Sequence, residues 1–390
     1  MMHRLFISFV TALLVSIRSI VPSWAASETP VRVVQVDLDY VYDVDPIQQE
    51  QNLHLLVERI AAMKINTVFL QAFADPEGTG LASALYFPNS ALPVRTNLFG
   101  RAVEELKTRA KVRVFGWLPV LSFELEQSPS VLYWSPITGR SSPDSKAYRR
   151  LSPFDAETRH AIADIYEDMA KAAPLDGILF HDDALLSDFE DASPEALDAY
   201  ARAGFKGSIK DLRAHPETMK RWSEFKTKTL VDFTKELTRH VRLHRPQAQT
   251  ARNIYATVAL QPHSQEWFAQ DYDLFLKSYD YTAVMAMPKM ENVPSDEAEE
   301  WMQKLVTVAK SKPNGLKHTV FELQAVDWNE QAQGRERTIP SDDLASQMRF
   351  LSEQGAENFG YYPDDFVTNT PDIEVLAPEF SLRASGGSNE

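Results

Sequence analysis

Two adjacent carboxylates, Asp182 and Asp183, leave the apolar run 177–180 in the segment GILFHDD of this 390-residue chain. Side by side, such groups repel, and the repulsion can hold one of them protonated near neutral pH as a general acid. Cleavage of a glycosidic bond uses that pairing: one carboxyl protonates the leaving oxygen while another stabilises or traps the oxocarbenium-like centre. Asp183 is the expected proton donor and Asp182 its partner. Glu322 is the third catalytic candidate, because a glutamate on an otherwise apolar run is costly unless it is paired or used. The competing reading makes either aspartate a helix cap or the partner of a surface base.

These groups need a frame that gathers them. Short runs rich in β-branched and aromatic residues at 31–38, 66–73, 112–120, 177–181, 254–260, 281–287, 318–323 and 358–362 read as eight strands. Amphipathic segments at 47–63, 98–110, 158–170, 221–243, 296–309 and 342–354 supply helical crossovers. Eight strands joined in this way predict the α/β class, a parallel sheet closed into a single-domain (β/α)8 barrel, with elaborated βα loops at 75–97 and 122–155. Function in that fold gathers where strands end. The residues there are Asp37, Asp39 and Tyr40, then Gln71, Trp117 and His181, then Gln261 and His263, then Gln324 and Trp328 after Glu322, and finally Tyr361, Tyr362 and Asp364. Asp37 and Asp39 share one parity of their strand and can both point inward. Acid groups beside flat aromatic faces suit sugar rings, although the default for each aromatic is a place in the core.

Composition removes other classes. Forty basic against 55 acidic residues, a net charge of −15, argue against nucleic acid or anionic lipid as partner. The absence of cysteine excludes disulfides, thiolate metal sites, a cysteine nucleophile and a lipidated N-terminal cysteine. No G-x-G-x-x-G follows a strand and no phosphate-binding G-x-x-x-x-G-K-S/T occurs, so no nucleotide cofactor is expected. No metal is expected either: His240 and His244 are four apart but sit among bases in ELTRHVRLHR, a solvated helix end. Residues 1–25 read as a cleaved signal peptide, with Arg4 ahead of an apolar stretch too short to span a membrane and a small-x-small site at 23–25. Cleavage leaves 38 basic and 55 acidic residues, a net of −17, and a periplasmic or secreted protein without a stable membrane anchor. The barrel domain then covers 26–383, and 384–390 (ASGGSNE) reads as a disordered tail.

The runs VDLDYVYD (36–43), FLQAFADPEGTG (69–80), ALYFPN (84–89), RLSPFD (150–155), DGILFHDDALLSDFED (176–191), AVMAMP (283–288) and FELQAVDW (321–328) resemble the C-terminal glycoside-hydrolase domain of the PgaB family. Its members are exported poly-β-1,6-N-acetyl-D-glucosamine N-deacetylases of biofilm exopolysaccharide systems. The resemblance covers nearly the whole chain after the signal. It implies a (β/α)8 barrel that binds, and in some members endo-hydrolyses, the partly deacetylated polymer, with Asp182 and Asp183 in the catalytic position. The family's metal-binding deacetylase sequence has no counterpart here, so deacetylation is not expected. Two functions stay open: an endo-acting glycoside hydrolase, in which the substrate's own acetamido oxygen can replace a second carboxylate, and a non-catalytic barrel guiding the polymer to export machinery.

Overall fold

Strands whose residues are buried on both faces must be covered on both faces, and a barrel ringed by helices does this. In the computed structural model, which describes residues 29–144, 149–329 and 338–382, the eight strands are β1 (Arg32–Val36), β2 (Thr67–Gln71), β3 (Arg113–Leu118), β4 (Gly177–Phe180), β5 (Gln249–Tyr255), β6 (Tyr281–Met285), β7 (Thr319–Gln324) and β8 (Asn358–Tyr362). Every residue of β1, β2, β6 and β7 is buried. All neighbours pair in parallel, and β1 pairs with β8 (Val33 opposite Gly360) to close the barrel expected from the sequence. The segments 1–25 and 384–390 lie outside the described residues.

The outer layer follows its capping signals. Helix α1 (Pro46–Ala62) starts where Asp45 accepts the Ile47 N–H at 2.9 Å with proline at the first position, and it buries Leu53, Leu56, Val57 and Ile60. Helix α2 (Phe99–Glu105) links β2 to β3. Helix α3 (Ala156–Ala172) begins at Asp155, which caps the Thr158 N–H at 2.7 Å. Helix α4 (Pro216–Arg242) packs along α3 and leads into β5. Helix α5 (Ala298–Lys310) packs against α6 (Ser341–Glu353), which lies on β7 and β8. Among the described residues no helix is long and apolar enough to cross a membrane.

One strand lies elsewhere than the pattern suggests. The run 254–260 reads as a strand, yet Ala256–Leu260 is helical and β5 is Gln249–Tyr255. A short apolar run does not distinguish strand from buried helix, and the true strand was hidden by its polar centre. Arg252 there is buried over the Phe275 ring and bonds the Tyr279 hydroxyl and the Ala184 carbonyl. The helices Pro194–Arg202 and Ile209–Arg213, unforeseen from periodicity, build a satellite core around Tyr200 and Trp222 after β4. The long loops after β2 and β3 hold short antiparallel strand pairs of their own.

Closure depends on a missing side chain. A Cβ on Gly360 would run into the carbonyl oxygen and Cγ1 of Val33 on the paired strand. Gly360→Ala is therefore expected to destabilise the fold by about 3 kcal/mol or more, read as a lower urea midpoint. An unchanged midpoint would show that β1 and β8 can part without cost.

Candidate active site

At the C-terminal ends of the strands lies a cleft of about 460 Å³. Its floor comes from side chains at one parity of the strands and of the residues just past them: Gln35 of β1 with Asp37 beyond it, Gln71 of β2 with Phe73 beyond it, Trp117 of β3, His181 after β4, Asn253 of β5, Met285 of β6 with Met287 beyond it, Glu322 of β7 and Tyr362 of β8. Alternation along each strand aims these groups into the barrel mouth. Asp39, Tyr40, Asp75, Asp182 and Trp328 complete the wall.

Glu322 is buried, and the Asn253 Nδ2 donates to its Oε2 at 2.8 Å. Burial, seconded by the nearby charge of Asp182, raises its pKa from 4.5 to about 8. Asp182 accepts from the Tyr255 hydroxyl at 2.7 Å and lies 3.1 Å from the His181 Nε2. Burial pulls the His181 imidazole down, but Asp182, Asp183 and Asp75 outweigh it and raise its pKa to about 9. A protonated carboxyl and an aspartate that accepts from one tyrosine hydroxyl and pairs in charge with a neighbouring imidazolium thus share one mouth.

Across the cleft, Asp37 accepts from the Tyr362 hydroxyl at 3.3 Å. Burial, then the charge of Asp39, raises its pKa to about 8. Asp39 is held by the Tyr86 hydroxyl at 2.6 Å and the Asp75 N–H at 2.9 Å, with Arg95 3.4 Å away. Its own N–H donates to the Gln71 Oε1 at 3.3 Å. Trp328 stacks on Tyr362 with centroids 6.0 Å apart, and the Trp117 edge meets the Tyr362 ring at 5.5 Å. Among the described residues, Gln35 Oε1, Asp37 Oδ1, Trp117 Nε1 and Glu322 Oε1 are buried without a hydrogen-bond partner, and all four belong to residues that line the cleft. Unpaired buried polar atoms are costly, so a cleft lined with them is built for a polar ligand.

Six of the residues expected at the strand ends do not line the cleft. Asp183 is fully buried behind it and accepts the backbone N–H groups of Val120, Leu121 and Ser122 at 2.9, 2.6 and 2.7 Å, out of reach of a substrate in the cleft. Gln324 turns to a neighbouring cavity and accepts the Lys289 N–H at 2.8 Å. Tyr361 has the opposite strand parity to Tyr362, and its hydroxyl donates to Asp364 at 2.6 Å. Asp364 forms a buried ion pair with Arg59 at 2.8 Å. Conversely, Asn253 and Tyr255 were missed because β5 was set too late, while Gln35 could have been found by following the Asp37 parity one step deeper. Gln261 and His263 lie beyond the helix that follows β5 and do not line the cleft. Among the described residues, the histidine and carboxylate donors that converge closely enough for a metal ion lie on outer helices, not in the cleft.

Comparison with known proteins fits this architecture. The family described as "Hypothetical glycosyl hydrolase family 13" matches residues 35–362. The glycoside hydrolase domain of PgaB (BpsB) from Bordetella bronchiseptica superposes with a TM-score of 0.84 at 44% identity, over 91% of this chain and 100% of that one. The chain belongs to this PgaB-type glycosyl hydrolase family. The poly-β-1,6-N-acetyl-D-glucosamine N-deacetylase of Escherichia coli K12 is 45% identical over 357 residues, 91% of this chain and 53% of that protein, so the chain spans about half the length of its curated relatives. An α-L-fucosidase from Paenibacillus thiaminolyticus, 11% identical with a TM-score of 0.62 over 90% of this chain and 49% of its own, shares the fold alone. Within the PgaB-type family, then, this barrel presents Asp182 and Glu322 to its cleft and keeps Asp183 beneath it.

Two outcomes follow from this division. Asp183→Asn, which turns an amide toward backbone donors, should lower stability by about 3 kcal/mol, whereas Asp182→Asn should leave the urea midpoint near that of the wild type. Equal midpoints for the two variants would remove the anchoring role of Asp183. For Glu322 the raised pKa means that the folded chain holds the proton more tightly than the unfolded one. That stabilisation is complete below the unfolded value of 4.5 and is lost as pH rises through about 8. Glu322→Gln has no proton to lose, so its melting temperature should exceed the wild type's by at least about 2 °C at pH 9, with a smaller difference at pH 5. A difference independent of pH would show that Glu322 is not held protonated.

Proposed function

We propose that this chain is an exported, endo-acting glycoside hydrolase that cleaves partly deacetylated poly-β-1,6-N-acetyl-D-glucosamine, the polymer for which its Escherichia coli relatives are named. The observation that carries the reading is Glu322: one oxygen is fixed by Asn253, the other is unpartnered beside the cleft, and burial keeps the carboxyl protonated at neutral pH. In this mechanism Glu322 delivers its proton to the glycosidic oxygen as the bond to the anomeric carbon breaks, and a water molecule then bonds to that carbon and gives up the proton that restores Glu322. Asp182, oriented by Tyr255 and His181, faces the positive charge that develops on the sugar ring. Trp328 and Tyr362 supply flat faces for neighbouring sugars, Gln35 offers an acceptor for hydroxyl or amine groups, and the protonated Asp37 carboxyl offers a donor.

The reading places the protein in the periplasm or outside the cell, where it takes polymer from exopolysaccharide export machinery; its support is the signal-like composition of residues 1–25. The decisive experiment incubates purified protein with the partly deacetylated polymer and follows chain length. Oligosaccharides of several lengths are expected from the wild type and none from Glu322→Gln, with polymer binding by that variant within a few-fold. Binding without shortening would favour the guiding barrel over the hydrolase.

The proton donor also sets a pH limit, since cleavage should fall as pH rises through about 8 and Glu322 loses its proton. A rate still level at pH 10 would take Glu322 out of the acid role. Finally, the acidic wall of Asp39, Asp75 and Asp182 should favour oligomers carrying free amines over fully acetylated ones, and salt should weaken the preference. Matched oligomers handled equally at low and high salt would leave that wall without a role in selection.

A further inference from the structure

We propose a second site on this chain, a divalent transition-metal site of the zinc class formed by Asp164 and Glu167 of α3 with His240 and His244 of α4. Spacings of three and four residues put each pair on one helix face, and packing of α3 along α4 brings the two faces together. One donor atom each from Asp164, Glu167 and His240 lies within 4.8 Å of the other two. The His240 Nδ1 is 3.2 Å from the Glu167 Oε2, and the His244 Nε2 is 3.2 Å from its Oε1. Ligands about 2.0–2.1 Å from a tetrahedral zinc ion stand roughly 3.3 Å from one another, and each histidine stands at that spacing from one Glu167 oxygen, His240 within the converging trio and His244 at the opposite oxygen, outside it. Two imidazoles with carboxylates select zinc, nickel or copper over magnesium or calcium.

The surroundings permit an ion. The neighbouring bases turn away: Arg242 bonds the Ala248 carbonyl, and Arg245 bonds those of Ala170 and Ala173. Lys171 is the competitor, with its ammonium 3.0 Å from Glu167, but Asp168 at the same distance gives it a second partner when it is displaced. His160, 3.6 Å from Asp164, adds another imidazole at the edge. His240 and His244 close α4 just before β5 begins, on the barrel face opposite the cleft, so a bound ion staples two outer helices and takes no part in cleavage. The sequence pattern showed only two histidines among bases; the Glu167 carboxylate comes from 73 residues before His240.

Full-length protein stripped with EDTA and titrated calorimetrically with zinc chloride tests the site. The wild type should take one ion per chain and melt at a higher temperature with zinc than without. His240→Gln and Glu167→Gln should each weaken zinc binding at least about tenfold, whereas Lys171→Ala should tighten it by removing the competitor. Because these residues are at least partly exposed, the variants should fold, with helix content checked by circular dichroism. Zinc taken up equally by the wild type and both glutamine variants would overturn the proposal. Uptake abolished by Asp182→Asn would do the same, since the ion would then sit in the cleft.

Discussion

The Asp183 carboxylate, buried and gripped by three consecutive backbone N–H groups of the loop that leaves β3, ties the end of β4 to that loop. Hydrogen bonds from several backbone donors stabilise a carboxylate, and the His181 ring 3.6 Å away adds its positive charge. The loop held in this way carries on into the backbone of Leu151, which donates to the Leu121 carbonyl. Because Asp183 is fixed from behind, its neighbour Asp182 is delivered to the front, where Tyr255 and His181 meet it. One residue of the acidic pair is architecture, and the architecture aims the other.

In front of that anchor the barrel mouth keeps groups that a purely stable protein would avoid. Asp37 and Glu322 are buried and hold protons far above the usual carboxyl range, while His181 holds one far above the usual imidazole range. Their protonation states depend on one another through charge at close quarters. The cost of the unsatisfied atoms is carried by the surrounding barrel, whose strands are buried on both faces and whose closure runs through the tight contact of Gly360 with Val33.

Polar pairs away from the mouth do a different task. Arg59 with Asp364 fastens α1 to the segment after β8, and Arg150 with Glu190 ties the loop after β3 to the chain after β4. Both pairs are buried and add further hydrogen bonds, Arg59 to the Pro371 carbonyl and Arg150 to the Leu185 carbonyl, so neither leaves a charge uncompensated. These clasps hold the long loops on the cleft side of the barrel without entering the cleft, which separates the charges that maintain shape from those that face a ligand.

The sequence by itself determined the eight-strand barrel, seven of its strands closely, and most of the cleft, because period-two alternation and strand ends are local properties. Asp37, Asp39, Tyr40, Gln71, Trp117, His181, Asp182, Glu322, Trp328 and Tyr362 were legible on that basis and all line the cleft. Tertiary structure alone decided that Asp183 serves the backbone, that Asp364 serves Arg59, that Gln324 faces another cavity and that Tyr361 points into the helical layer. It also decided that β5 runs through a buried arginine and an asparagine, and that Glu167 meets two histidines across a helix pair. Strand parity says which way a side chain points while the strand lasts. The partner it finds, and hence whether a carboxyl is an anchor, an acid or a ligand, is set by chain segments brought close only by folding.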